Sequence, residues 1–151
     1  MKDCFYQYRK GLYEALKVLT YQGSLIPVME FAKADEETPF IEILNMSSVL
    51  ERDDDTFMQM VTVDIMVVTS FIGDPGDYGS KESDDIMNLI MGKLITKGVT
   101  VADRAKNIEM DDFTDAGCWF VALNYQPEWD GIKTTIRKIL TITTAIDEKL
   151  I

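Results

Sequence analysis

Carboxylates are the most abundant reactive groups in this chain, and one stretch gathers them together with glycine. "SFIGDPGDYGSKESDD", Ser70–Asp85, holds five acids, three glycines and a proline within sixteen residues. Acid–base catalysis by a carboxyl pair needs both groups on rigid elements, in environments that drive their pKa values apart. The clusters "ERDDD", "DPGD", "SDD" and Asp111-Asp112 fall instead in expected turns or at an expected helix start, where water keeps carboxylates ordinary. Calcium is the natural ligand for such oxygens. Yet Asp74 and Asp77 are followed by Tyr78 and Gly79, not by the D-x-[DN]-x-[DN]-G spacing of an EF-hand loop. Gly73, Gly76 and Gly79 form neither G-x-G-x-x-G nor a Walker sequence, and the acids that follow would repel a phosphate.

The chain contains no histidine, which removes the commonest general base and the commonest zinc ligand. Serine, threonine and cysteine nucleophiles exist without a histidine to activate them. Cys4 and Cys118 lie far apart in sequence and form no CxxC pair; free cytosolic thiols are the default and a disulfide the alternative. These residues point away from an enzyme and imply no cofactor and no metal. Asp64 is the one acid inside the long apolar run "FMQMVTVDIMVVTSF", which reads as a strand. Either it faces water, or it pairs with a basic residue of a neighbouring chain such as Arg137 or Lys138. Met66 and Met60 flank it, and methionine surfaces adapt readily to partners, although methionine is equally common as core filler.

The elements that must position these residues follow from periodicity. Phe5, Tyr8, Leu12, Leu16 and Leu19 recur at helical spacing and predict an amphipathic helix over 3–20, with Gly23 as its cap. "SLIPVMEF" predicts a short edge strand, because Pro27 removes a ladder donor. Phe40–Leu44 alternates as a half-buried strand, and "ERDDD" reads as an acidic loop. "FMQMVTVDIMVVTSF" predicts a long strand, apolar on both faces and therefore central, with one face for a helix and the other for another subunit. A second helix is expected over 84–97, with Ser83 as N-cap and Ile86, Leu89, Ile90, Leu94 and Ile95 as its buried stripe. Residues 99–110 read as a loop or short strands. "GCWFVALNYQ" and "GIKTTIRKILTITTAI" then form a hairpin around "PEWDG", whose Asp130-Gly131 marks the turn. In the last strand Ile132, Ile136, Leu140, Ile142 and Ile146 face one way, and Lys133, Thr135, Arg137, Thr141 and Thr143 the other.

At 151 residues the chain fits one domain, 1–151, with a flexible loop at 72–83. The expected fold class is α+β, a mostly antiparallel β-sheet with two α-helices packed on one face. A net charge of −11 argues against gripping a nucleic-acid backbone. "MKDCFYQYRK" shows no signal-peptide core, and no window nears the roughly twenty apolar residues of a membrane span. The expectation is a soluble protein made in the cytoplasm.

The order of elements resembles a known family. The "TPFIEIL" strand after a proline-marked turn, the "VTVDIMVVTSF" strand, the loop, the "SDDIMNLIMGKL" helix and the "WFVALNYQPEWDGIKTTIRKILTITTAI" hairpin are similar to the tail-terminator and tail-completion proteins of tailed bacteriophages. The resemblance covers about residues 3–146 and rests on patterns, not on invariant signatures. It implies a tail-terminator-like fold and a structural subunit of a hexameric or dodecameric ring in the neck or tail. The partners implied are neighbouring copies and the adjoining portal, connector or tail proteins. DNA would pass through the ring without specific binding, with no membrane involved, in a virion assembled in the host cytoplasm. The candidate subunit-interface residues are then Asp64, Met66, Asp74, Asp77, Tyr78 and Arg137. An acidic loop at 72–83 and the length of 99–115 depart from the minimal pattern. They leave terminator, head-closure subunit and other neck ring open. The alternative class is a non-viral monomeric or dimeric domain that binds a small molecule or peptide.

Overall fold

A seventeen-residue strand, β5 (Thr56–Ile72), organises the molecule. In the computed structural model, which describes residues 3–53, 56–73, 79–95 and 108–149, it lies in the middle of a five-stranded sheet. On one side β4 (Phe40–Asp53) pairs with it antiparallel, and β3 (Val28–Met29) adds a short parallel edge to β4. On the other side β7 (Lys133–Glu148) pairs antiparallel along nearly its whole length. β6 (Phe113–Trp129) closes the order β3-β4-β5-β7-β6 as the far edge. A separate hairpin of β1 (Thr20–Tyr21) and β2 (Ser24–Leu25) precedes the sheet.

The period of two decides which face is covered. Val61, Val63, Ile65 and Val67 of β5 are fully buried, as are Leu140 and Ile142 of β7 opposite them. Their core is shared with α1 (Phe5–Leu16) and α2 (Lys81–Leu94), which supply Tyr8, Leu12, Leu16, Ile86, Met87, Ile90 and Leu94. Both helices therefore lie on one face of a mainly antiparallel sheet, the α+β arrangement expected. The other face carries Met58, Met60, Thr62, Asp64 and Met66, all half-buried, with no helix over it among the described residues.

Helix α1 is tied to the chain just before β6. Gln7 donates to Asp112 Oδ2 at 2.7 Å and accepts from the Asp112 N–H at 2.8 Å. Gly11 sits so close to this segment that a Cβ would lie 2.5 Å from the Glu109 carbonyl oxygen. Tyr8 carries its hydroxyl across the core to Thr144 of β7, 2.8 Å away.

Several boundaries differ from the expectations, each for a local reason. Gly23 does not cap α1, which ends at Leu16 with Lys17 as its cap. Gln22 and Gly23 both have positive φ and make the two-residue turn of the β1–β2 hairpin. "SLIPVMEF" is split around Pro27, whose carbonyl accepts from the Ile41 N–H at 2.8 Å, so β3 holds the edge as expected. The start of "ERDDD" is strand, because β4 stays in register with β5 as far as Asp53 opposite Thr56. The turn of the last hairpin is the three residues Asp130–Ile132; Pro127–Trp129 belong to β6, where an edge position tolerates proline.

Helix α2 begins at Lys81 with Ser80 at the cap position, so Ser83 is not the N-cap. Ser83 lies inside the first turn, fully buried, and its hydroxyl has no hydrogen-bond partner among the described residues. Its Oγ has lost water without replacement, which is destabilising. Ser83→Ala is therefore expected to stabilise the fold by about 1 kcal/mol, raising Tm by roughly 2–4 °C. Differential scanning calorimetry checks this, and a lower Tm would mean that the hydroxyl is satisfied. Leu89, expected in the buried stripe, is exposed; Met87 takes its place in the core.

A candidate subunit interface

The acidic groups are more engaged than their sequence context implies. Asp85 accepts from Lys81 at 2.6 Å, and Lys81 holds its carboxyl below the ordinary range. The Tyr21 hydroxyl also reaches Asp85 at 3.3 Å, linking the small hairpin to the start of α2. Asp84 pairs with Lys138. Asp130 accepts the backbone N–H groups of Lys133 and Ile132 at 2.8 and 2.9 Å, which lowers its pKa and fixes the turn. Among the described residues no three His, Cys, Asp or Glu side chains converge as metal ligands, and no helix is long and apolar enough to cross a membrane.

The cysteines are buried and free. Cys4 Sγ donates to Gln59 Oε1 at 3.1 Å, and burial raises its pKa. Burial pushes the Cys118 thiol up to about 11, so it stays protonated at neutral pH. Thiolates are the nucleophilic form, and neither site supplies one readily.

The open sheet face gathers three of the expected interface residues. Asp64 accepts from the Thr141 hydroxyl at 2.6 Å, next to a matching Thr62–Thr143 contact at 3.0 Å. Arg137 donates to Glu128 at 2.7 Å across the β6–β7 hairpin. Met66 and Arg137 line one concavity together with the acidic turn Asp35–Glu37, Glu42 and Lys133. Of the two basic residues considered for Asp64, Lys138 is excluded, since it stands opposite Val67 on the helix-covered face and is engaged by Asp84. Arg137 shares the face of Asp64. Asp74, Asp77 and Tyr78 lie outside the described residues. The residues on either side of them are anchored. Gly73 receives the Thr134 hydroxyl at 2.7 Å, and Gly79 abuts the Phe71 ring so closely that a Cβ would be 2.4 Å from it.

A further surface was not singled out from the sequence. Trp119, Phe120, Val121, Leu123, Tyr125 and Trp129 of β6 each keep 38–50% of their surface exposed. Phe120 and Leu123 stand opposite Ile142 and Leu140, both fully buried, so among the described residues the helical layer covers β6 only as far as Cys118 and leaves it open from Trp119 on. The sequence signal was present. "CWFVALNY" is apolar almost without alternation, which a strand with one solvated face does not require.

No family model and no curated protein matches this chain. Among solved structures, a chain from the virion of a native gene transfer agent (GTA) particle is similar to it, with a TM-score of 0.54 at 10% sequence identity. The superposition covers 95% of this chain and 90% of that one. At this identity the likeness is one of fold.

Proposed function

We propose that this protein is a structural subunit of an oligomeric ring in the neck or tail of a tailed-phage-like particle, acting as a tail terminator, tail-completion or head–tail joining protein. The observation that carries this reading is the fold shared, over nearly the whole of both chains, with a chain of the GTA virion. The uncovered sheet face and bare β6 edge support it, because large apolar surfaces left open on one chain mark contacts with another. The absence of histidine and the engaged acids support a role without catalysis.

In this reading the open face with Asp64, Met66 and Arg137, and the segment carrying Asp74, Asp77 and Tyr78, contact neighbouring copies and adjoining rings. The net charge of −11 suits a channel through which DNA slides, since like charges do not trap phosphates. Light scattering coupled to size-exclusion chromatography, with negative-stain microscopy of the peak, tests the proposal. Closed rings are expected. A protein that stays monomeric up to its solubility limit overturns it and favours a monomeric binding domain.

A further inference from the structure

The sheet has two open edges, and their chemistry and polarity match. Beyond Glu42, the outer edge of β4 has no strand partner among the described residues, because β3 pairs only with Ile41 and Glu42. At the opposite end, β6 has no strand partner besides β7 among the described residues. Such edges present unpaired N–H and C=O groups, and proteins normally guard them with lysine, other charges or proline. Neither edge is guarded along its middle. Leu44–Leu50 ("LNMSSVL") and Trp119–Gln126 ("WFVALNYQ") contain no charged residue and no proline, in a chain where 27% of residues are charged. Pro127 and Glu128 come after this stretch, near the exposed end of the strand. Both runs offer apolar side chains to solvent, with Val49 64% exposed and Val121 50% exposed.

Strand direction makes the match usable. β4 is antiparallel to β5, β5 to β7, and β7 to β6. Three reversals leave β6 running opposite to β4. A second copy, rotated about a ring axis without being turned over, thus brings its β4 antiparallel to this β6. Antiparallel is the better-bonded arrangement. A two-fold contact of β6 with β6 would also be antiparallel, but it would leave the uncharged β4 edge of every copy bare.

We propose that β6 of one copy pairs with the outer edge of β4 of the next, so that the sheet runs on from subunit to subunit. The occupant of each edge is another copy of this chain, in a head-to-tail contact that closes into a ring when the rotation allows. This deepens the ring reading above by naming its lateral contact, and it rests on that reading for closure alone. Trp119, Phe120 and Tyr125 are then the aromatic anchors of the contact, set against Val49 and Leu50 of the neighbour.

The test uses two single variants of the full chain, Val121→Lys on β6 and Val49→Lys on β4. Both positions are exposed in the single chain, and near-UV and far-UV circular dichroism verifies the fold. Each lysine would be buried without a partner in the contact. Each variant alone is expected to associate about 100-fold more weakly and to run as a monomer at micromolar concentration. Mixed in equal amounts, they should form a dimer and nothing larger, because one intact β6 meets one intact β4 and both outer edges are blocked. Light scattering and native mass spectrometry read the masses.

If both variants keep the wild-type oligomer, the edge contact is wrong while the ring reading stands. If only Val121→Lys dissociates the oligomer, the contact is β6 with β6 and the proposal is overturned. Open filaments from the wild type, with the variants behaving as expected, would uphold the edge contact and refute the closed ring. A second measurement is independent of the lysine variants. The Val49→Cys/Val121→Cys chain, oxidised, should give a ladder of linked species on a non-reducing gel, and its absence counts against the pairing.

Discussion

Tyr8→Ala should remove about 3–5 kcal/mol of stability, the range for a buried aromatic cut back to alanine. Domains of this kind hold only about 5–15 kcal/mol in total, so the variant should lie close to unfolding at physiological temperature. At this chain length the loss corresponds to roughly 6–20 °C in Tm. The magnitude follows from position. Tyr8 is fully buried between α1 and the sheet, and its ring is among the largest side chains wholly withdrawn from water. Its hydroxyl also meets Thr144, itself fully buried, at 2.8 Å. Burial drives the phenol pKa far upward, so the group acts only as a neutral hydrogen-bonding partner. Tyr8→Phe separates the two contributions. It keeps the ring, and since Thr144 also bonds Cys118, it should lose only about 1–2 kcal/mol. Chemical denaturation of the three proteins checks the order. A phenylalanine variant as unstable as the alanine one would mean that the hydroxyl, not the ring, holds α1 in place.

Tyr8 also shows what could be read in advance. Its place in a helical stripe with Leu12 and Leu16 was legible, because an amphipathic period of 3.6 is a property of one element alone. The same holds for the alternation of β7, whose Ile136, Leu140, Ile142 and Ile146 are buried as expected, whereas Ile132, expected on that face, precedes the strand and is exposed in the turn. What escaped the sequence depends on register between elements. Asp64 meets Thr141 because the two stand opposite each other across β5 and β7, and nothing local to either strand announces that. Lys138 was a candidate partner for Asp64 until the register placed it on the helix side with Asp84. Composition misled at the ends of β4 and β6. Charge and proline there resemble loop, yet pairing with β5 and β7 carries the strands on. Ser83 looked like a cap because serine before paired acids is a common helix start. The helix begins earlier, and the buried hydroxyl is left over.

Raising the salt from about 20 mM to about 500 mM should strengthen self-association of this protein by at least about tenfold, since the screening length falls from roughly 20 Å to roughly 4 Å. The sign comes from two features that act together. Every copy carries a net charge of −11, so bringing copies into a ring is opposed by repulsion that salt removes. The proposed lateral contact, Leu44–Leu50 against Trp119–Gln126, contains no charge and has no ion pair for salt to weaken. A contact built instead on Asp64 of one copy and Arg137 of the next would respond in the opposite sense, because screening weakens attraction as well as repulsion. Within the chain these two groups already have partners, Thr141 for Asp64 and Glu128 for Arg137, so exchanging them for an intermolecular pair gains little. Sedimentation velocity across the salt range decides between the two. Tighter association at high salt places the main contact on the uncharged edges, whereas looser association moves it to the charged open face. The same experiment with DNA present should show no binding at any salt, since a phosphate backbone is held by cationic clusters that this chain does not concentrate. Rings that tighten with salt and ignore DNA are what an acidic subunit around a DNA channel requires: cohesion from apolar strand edges, and a charge that keeps the channel free.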